Sequence, residues 1–262
     1  QSMVHTAAGF AKANYRLSTM ACTPSIGPGS TNMVTGAALA TINRLPVLLF
    51  PSDYYATRHQ GPVLQQLEHP LAGDISVNDC LRPVSQFFDR ISRPEQLLTA
   101  LPEAMRVLTD AARTGAVTIA LPQDVQTQAY DYPSFFFRKQ VWRVERRTAD
   151  RDRVEEAVAL LDQSRTPVII AGGGVHYSEA WSELQEFSEK CGIPVVETFG
   201  GKGAIRSSSS MLLGGHGVTG NPAAARIVSE ADLVISVGTR LTDFTTGSQS
   251  IFQHPEVKFM SV

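Results

Sequence analysis

Glycine, proline, histidine and amide side chains are the residues of this chain whose spacing could do chemistry. Gly27-Pro28-Gly29 follows the apolar run Leu17 to Cys22 and precedes a stretch of small residues. A strand ahead of the turn and a helix behind it would put the tripeptide at the carboxyl end of a strand, where open α/β sheets hold ligands. Glycines on both sides of a proline let backbone approach a flat ligand closely, while the proline fixes the path. The same tripeptide also suits a tight strand-to-helix turn with no chemical role. His59 and His69 fall in the loop-like stretch Ser52 to Asn78 and His5 near the amino end. Histidine is suited to proton transfer near neutral pH, but a lone loop histidine is more often a surface residue, and His5 reads as a packed side chain. Gly172-Gly173-Gly174 invites a dinucleotide reading, yet Val175-His176-Tyr177 follows without the last glycine that fingerprint needs. The segment from Phe199 to Gly203 has the makings of an anion loop without the P-loop pattern, and Ser207 to Ser210 reads as a solvated loop.

The elements that must position these residues alternate along the chain. Ser2 to Ala13 brings Met3, Ala7, Phe10 and Ala11 to one helical face. Leu17 to Cys22 is expected as a strand, Ser30 to Ile42 as a small-residue helix capped by Ser30 or Thr31, and Pro46 to Phe50 as a buried strand. Pro94 to Arg113 is expected as one long helix and Ala116 to Leu121 as another buried strand. A second series holds helices over Arg151 to Gln163, Glu179 to Cys191 and Pro222 to Glu230. Its strands are Pro167 to Ala171, Pro194 to Glu197, Leu233 to Val237 and Val257 to Val262. Helices alternating with wholly apolar strands indicate α/β architecture, here two doubly wound parallel-sheet domains. The expected boundaries are residues 1–128 for the first domain, 129–150 for an aromatic and then charged linker, and 151–262 for the second.

Composition narrows the function. Of 262 residues, 43% are hydrophobic and 18% charged, a balance that supports packed cores. A net charge of −2 argues against a nucleic-acid or polybasic membrane surface. Cys22, Cys80 and Cys191 form no CxxC pair, which favours a reducing, cytoplasmic compartment and leaves no zinc or disulfide framework. No apolar run approaches the roughly 20 residues of a membrane span. Gln1 opens without a methionine and Val262 closes inside an apolar run, so a piece of a longer protein is expected.

Several segments carry a resemblance. The block IGPGSTNMVTGAALATINRLPVLLF is similar to the cofactor-proximal turn, helix and strand of thiamine diphosphate enzymes, in particular the acetohydroxyacid (acetolactate) synthase-like group. VNDCLRPVSQFFDRISRPEQL, VTIALPQDVQTQAYDYP, the FFFR segment, IIAGGGVHYSEA and GTRLTDFTTGS narrow it to the members that open a carbocyclic ring in inositol catabolism. The first domain then resembles the family's pyrimidine-binding domain and the second its Rossmann-like central domain. The resemblance implies that Gly27, Pro28, Gly29 and Asn32 lie at the thiamine diphosphate pyrimidine, although Asn32 also reads as a helix-start residue satisfying backbone groups. Gln65 and Gln66, in VLQQLE, correspond to the substrate-pocket loop, where amides offer donors and acceptors without charge. A solvated loop is their other reading. No catalytic residue is assigned within the sequence, since the family's glutamate would stand immediately before Gln1. The diphosphate and Mg2+ would be held by a further domain beyond Val262, and FAD is not expected at the central domain.

The activity implied is hydrolysis of a carbon–carbon bond in a ketonic substance, a cyclic trihydroxy 1,2-dione, to give 5-deoxy-glucuronic acid. The polyol dione would be the small-molecule partner and a homodimer or homotetramer the assembly, with no nucleic-acid or membrane partner. An acetohydroxyacid synthase-like carboligase acting on 2-oxo acids is an alternative, separated by the tight FAD site it requires. A non-catalytic domain pair is another, separated by the residue that precedes Gln1.

Overall fold

The computed structural model describes residues 1–59, 61–68 and 71–262 and divides into two compact units, Gln1–Arg146 and Arg147–Val262. In the first unit the chain runs α1 (Ser2–Ala13), β1 (Ala21–Cys22), α2 (Pro28–Thr31), α3 (Val34–Ile42), β2 (Val47–Leu49) and β3 (Ser52–Asp53). It continues through a 3₁₀ segment at Val77–Val84, then β4 (Phe87–Arg90), α4 (Leu97–Leu108) and β5 (Ala116–Pro122). Every strand pair is parallel. Ala116 to Ala120 are fully buried, as a strand covered on both faces must be. β2 and β3 meet β5 in one unbroken register, Val47 opposite Ala116 and Ser52 opposite Leu121, so they are two pieces of one strand interrupted at Phe50-Pro51. β4 lies on the other side of β5.

Three expected elements come out with other bounds, each for a backbone reason. The first strand is confined to Ala21–Cys22, because Pro46 has no N–H to offer and accepts instead from the Thr19 hydroxyl at 2.8 Å. The small-residue helix starts at Pro28 rather than Ser30, since proline suits a first helical turn, and it is interrupted at Asn32-Met33. Ser30 therefore caps nothing: its hydroxyl donates back to the Ser25 carbonyl at 3.1 Å. The long helix opens with a 3₁₀ turn, Pro94–Gln96, and ends at Leu108, beyond which the Asp110 carboxylate accepts from the N–H groups of Ala112 and Arg113. On α1 the buried face is Val4, Ala7, Ala8 and Ala11, with Met3 exposed. Gly36 lets α3 approach Val4, where an added Cβ would lie 2.7 Å from the valine side chain. The aromatic segment after β5 folds onto the first unit, with the Tyr132 hydroxyl donating to the Pro94 carbonyl at 2.7 Å and its ring stacked on Phe136.

The second unit runs α5 (Arg151–Gln163), β6 (Pro167–Ala171), α6 (Gly174–Tyr177), α7 (Trp181–Cys191), β7 (Val195–Glu197) and β8 (Leu212–Gly215). It closes with α8 (Pro222–Glu230), β9 (Leu233–Val237), α9 (Asp243–Thr246) and β10 (Lys258–Ser261). The sheet is wholly parallel in the order β10-β9-β6-β7-β8, a doubly wound arrangement that reverses direction between β6 and β9. Val168 and Ile170 point into one apolar cluster and Ile169 and Ala171 into another, so both faces are covered.

Candidate functional site at the carboxyl edge of the first sheet

The Gly27 turn stands beyond the carboxyl end of β1. Gly27 adopts φ 64°, ψ −116°, a conformation L side chains rarely take, and directly precedes α2. A Cβ there would fall 1.9 Å from the Gln65 carbonyl oxygen, so the loop carrying the two glutamines lies against this turn. At Gly29 a Cβ would fall 2.4 Å from the Ser25 hydroxyl. Gly27 is buried and Gly29 half-buried, whereas Pro28 and Asn32 are exposed. Gln65 is exposed with φ 65°, and Gln66 is half-buried. The five residues Gly27, Pro28, Gly29, Gln65 and Gln66 thus share one edge, with Asn32 at the end of the short helix beside them. The space beside Gly27 is taken by the Gln65 carbonyl and that beside Gly29 by the Ser25 hydroxyl, so the groups this edge presents to solvent are Pro28, Asn32 and Gln65.

A residue that sequence reasoning passed over holds the start of the glutamine loop. Asp124, just past β5, accepts from the N–H groups of Ala56 and Thr57 at 2.9 and 3.1 Å. Partial burial alone would raise this carboxyl, but those hydrogen bonds outweigh it and hold it below its ordinary value. His59 is exposed, and His69 lies outside the described residues. His5 is half-buried on α1, its ring 3.5 Å from the Gln1 amide.

At the corresponding edge of the second unit, the glycine runs serve the chain itself. Gly172 and Gly174 donate their N–H groups to the carbonyls of Val237 and Gly238, both at 2.8 Å. Added Cβ atoms at Gly172 and Gly174 would lie 2.4 Å from Thr239 and 2.5 Å from Gly238. The anion reading of the Phe199–Gly203 segment is corrected: the anion is an internal carboxylate. Glu197, buried at the end of β7, accepts from Gly203 N–H at 2.8 Å, Ala204 N–H at 3.0 Å and Lys202 Nζ at 3.1 Å. The GTRLTDFTTGS block forms α9 and its cap, with the Thr246 hydroxyl bonded to the Thr242 carbonyl. His176 accepts from the Trp181 indole at Nδ1 (2.8 Å), which leaves Nε2–H to donate to the Lys202 carbonyl (3.0 Å). His216 is buried beyond β8 with no described partner at either ring nitrogen, and burial holds its imidazole below the usual value.

Residues 154–262 match the family model described as the central domain of thiamine pyrophosphate enzymes. That match takes in nearly all of the second unit. Over all 262 residues, the chain is 54% identical to a 3D-(3,5/4)-trihydroxycyclohexane-1,2-dione hydrolase of Clostridium perfringens. It is 55% identical over the same length to proteins of that name in Bacillus cereus and Bacillus anthracis. The chain spans about two fifths (41%) of the length of these relatives. The wholly parallel sheet of the second unit is the architecture expected from its alternating apolar strands. No helix among the described residues is long and apolar enough to cross a membrane.

Proposed function

We propose that the full-length protein is a thiamine diphosphate-dependent hydrolase that opens a cyclic trihydroxy 1,2-dione, yielding 5-deoxy-glucuronic acid in inositol breakdown. The observation that carries this reading is the similarity to hydrolases of that name along every residue of the chain. The first-unit edge supports it by bringing the Gly27 turn and the Gln65 loop together. When bound, thiamine diphosphate supplies a carbon nucleophile and an electron sink, chemistry that no side chain offers. The Gly27-Pro28-Gly29 turn meets the aminopyrimidine through its exposed Pro28, and Asn32 offers an amide at the same edge. Gln65 and Gln66 orient the dione by donating to its carbonyls and accepting from its hydroxyls. The carboxylate that shares a proton with the pyrimidine is assigned to a glutamate immediately before Gln1. Mg2+ is assigned to the diphosphate end, in a part of the protein beyond this chain. A cytoplasmic homodimer or homotetramer is the proposed setting, checked by light scattering of the purified protein.

The test is to incubate full-length protein with thiamine diphosphate, Mg2+ and the cyclic dione, and to identify the product by NMR. Formation of 5-deoxy-glucuronic acid that stops when thiamine diphosphate is withheld is the expected result. Condensation of 2-oxo acids with release of carbon dioxide, and no ring opening, would overturn it in favour of a carboligase.

A further inference from the structure

Beneath the glutamine loop four residues close a hydrogen-bonded ring that the proposed reaction does not use. Asp53, the last residue of β3, has a fully buried carboxylate. One oxygen accepts from the Ser76 hydroxyl and from Tyr54 N–H, and the other from Arg90 Nε at 2.7 Å. Arg90, the last residue of β4, reaches the second carboxylate, Asp79, through Nη2 at 3.0 Å. Asp79 in turn accepts from Ser76 N–H at 2.8 Å. Ser76 thus offers its hydroxyl to one carboxylate and its backbone N–H to the other, and Arg90 bridges the same two. The ring is supported from outside by Arg82, which donates to Asp79 at 2.8 Å and stacks its guanidinium 4.2 Å from the Phe88 ring centroid.

Asp53 and Ser76 are the two residues between which the chain leaves the sheet to carry Gln65 and Gln66, so the ring ties the loop's departure to its return. Three further bonds hold the loop's base: the Tyr54 hydroxyl donates to the Gly73 carbonyl at 2.8 Å, again joining departure to return, and Asp124 accepts from the N–H groups of Ala56 and Thr57. At its far end the loop rests with the Gln65 carbonyl where a Gly27 side chain would be. A purely apolar base would hold such a loop without fixing its direction. An arginine that donates from Nε to one carboxylate and from Nη2 to another fixes both distance and angle, because its donors lie in one rigid plane.

We propose that the Asp53–Ser76–Asp79–Arg90 ring consists of positioning residues, which aim Gln65 and Gln66 at the Gly27 turn and so set affinity for the substrate's hydroxyl groups. None of the four touches substrate in this account; each acts through the loop. The effect on substrate rests on the function proposed above, whereas the effect on the loop does not, and the experiment reads both.

Arg90→Lys keeps the charge and loses the bridge, Asp53→Asn keeps the size and loses the charge, and both are made in the full-length protein. Trypsin cleavage after the exposed Arg58, followed by mass spectrometry, reports loop release. It is expected to speed up about tenfold or more in both variants, while far-UV circular dichroism stays unchanged. With the cyclic dione, KM is expected to rise about tenfold and kcat to change less than about threefold, the split that misaimed binding groups produce. Should Asp53→Asn fail to fold, Ser76→Ala and Tyr54→Phe, which each remove one hydroxyl, give the same two readings. Cleavage and KM both within about twofold of the parent in the folded variants would overturn the proposal. A parent protein inactive on the dione would count against the proposed function alone, since trypsin still decides whether the ring holds the loop.

Discussion

At Gly27 the turn and the loop compete for one methyl-sized volume, and glycine settles it by leaving that volume to the Gln65 carbonyl. Gly27→Ala must both displace that carbonyl and hold φ near 64°. A stability loss of about 1–3 kcal/mol is expected, read from urea unfolding, together with weaker dione binding. Glu197 and Lys202 make the contrasting case, since one ion pair has two very unequal ends. Glu197 is fully buried and accepts three donors, while Lys202 is 72% exposed. Lys202→Ala should cost no more than about 1 kcal/mol, as exposed partners do. Glu197→Leu leaves two backbone N–H groups without an acceptor and should cost several times as much, about 2–5 kcal/mol by urea unfolding. Equal losses at the two positions would contradict this account of the segment. The glycines around Gly200 read as an anion loop from composition because the anion that fills it, Glu197, is an ordinary strand residue with nothing to mark it in sequence.

Between elements, Asp232 ties the turn after α8 to the turn after α5. Its carboxylate accepts from the Ser164 hydroxyl and from the N–H groups of Arg165 (2.7 Å) and Thr166 (3.1 Å). Burial pulls its pKa up, but these bonds prevail and bring it from 3.8 down to about 2. A depressed carboxyl stabilises the fold fully above its unfolded value, and this contribution is lost as pH falls from about 4 through about 2. Asp232→Asn should therefore flatten that part of an acid-unfolding profile. His216 acts in the same direction at milder pH. Burial holds its folded imidazole below the ordinary value, so the unfolded chain binds more protons and stability falls as pH drops below about 6.5. His216→Leu should remove that slope in chemical unfolding measured between about pH 7 and pH 5. Elements of this kind were unevenly legible. Pro222–Glu230 and Leu233–Val237 are readable residue for residue, because a proline start and a wholly apolar run mark them. β4 and β8 were not: Phe87–Arg90 is half-buried throughout and Leu212–Gly215 ends in glycines, so neither shows alternation or a continuous apolar run. The Asp53–Arg90 ring was invisible for a related reason. Its members become neighbours only because β3 and β4 flank opposite sides of β5.

For the whole molecule, similarity and geometry bear on different units of the chain. The family match covers the second unit, whereas the residues proposed to meet cofactor and substrate lie in the first. Similarity to the dione hydrolases runs through both. In the proposed function the carboxyl edge of the first sheet, not that of the second, receives the thiamine diphosphate pyrimidine. Hydrogen exchange of the full-length protein with and without thiamine diphosphate and Mg2+ tests this directly. The prediction is slower exchange on cofactor addition at the amides of residues 26–33, with those of 172–174 and 238–240 unchanged. Slower exchange at 172–174 and 238–240, with residues 26–33 unaffected, would contradict it.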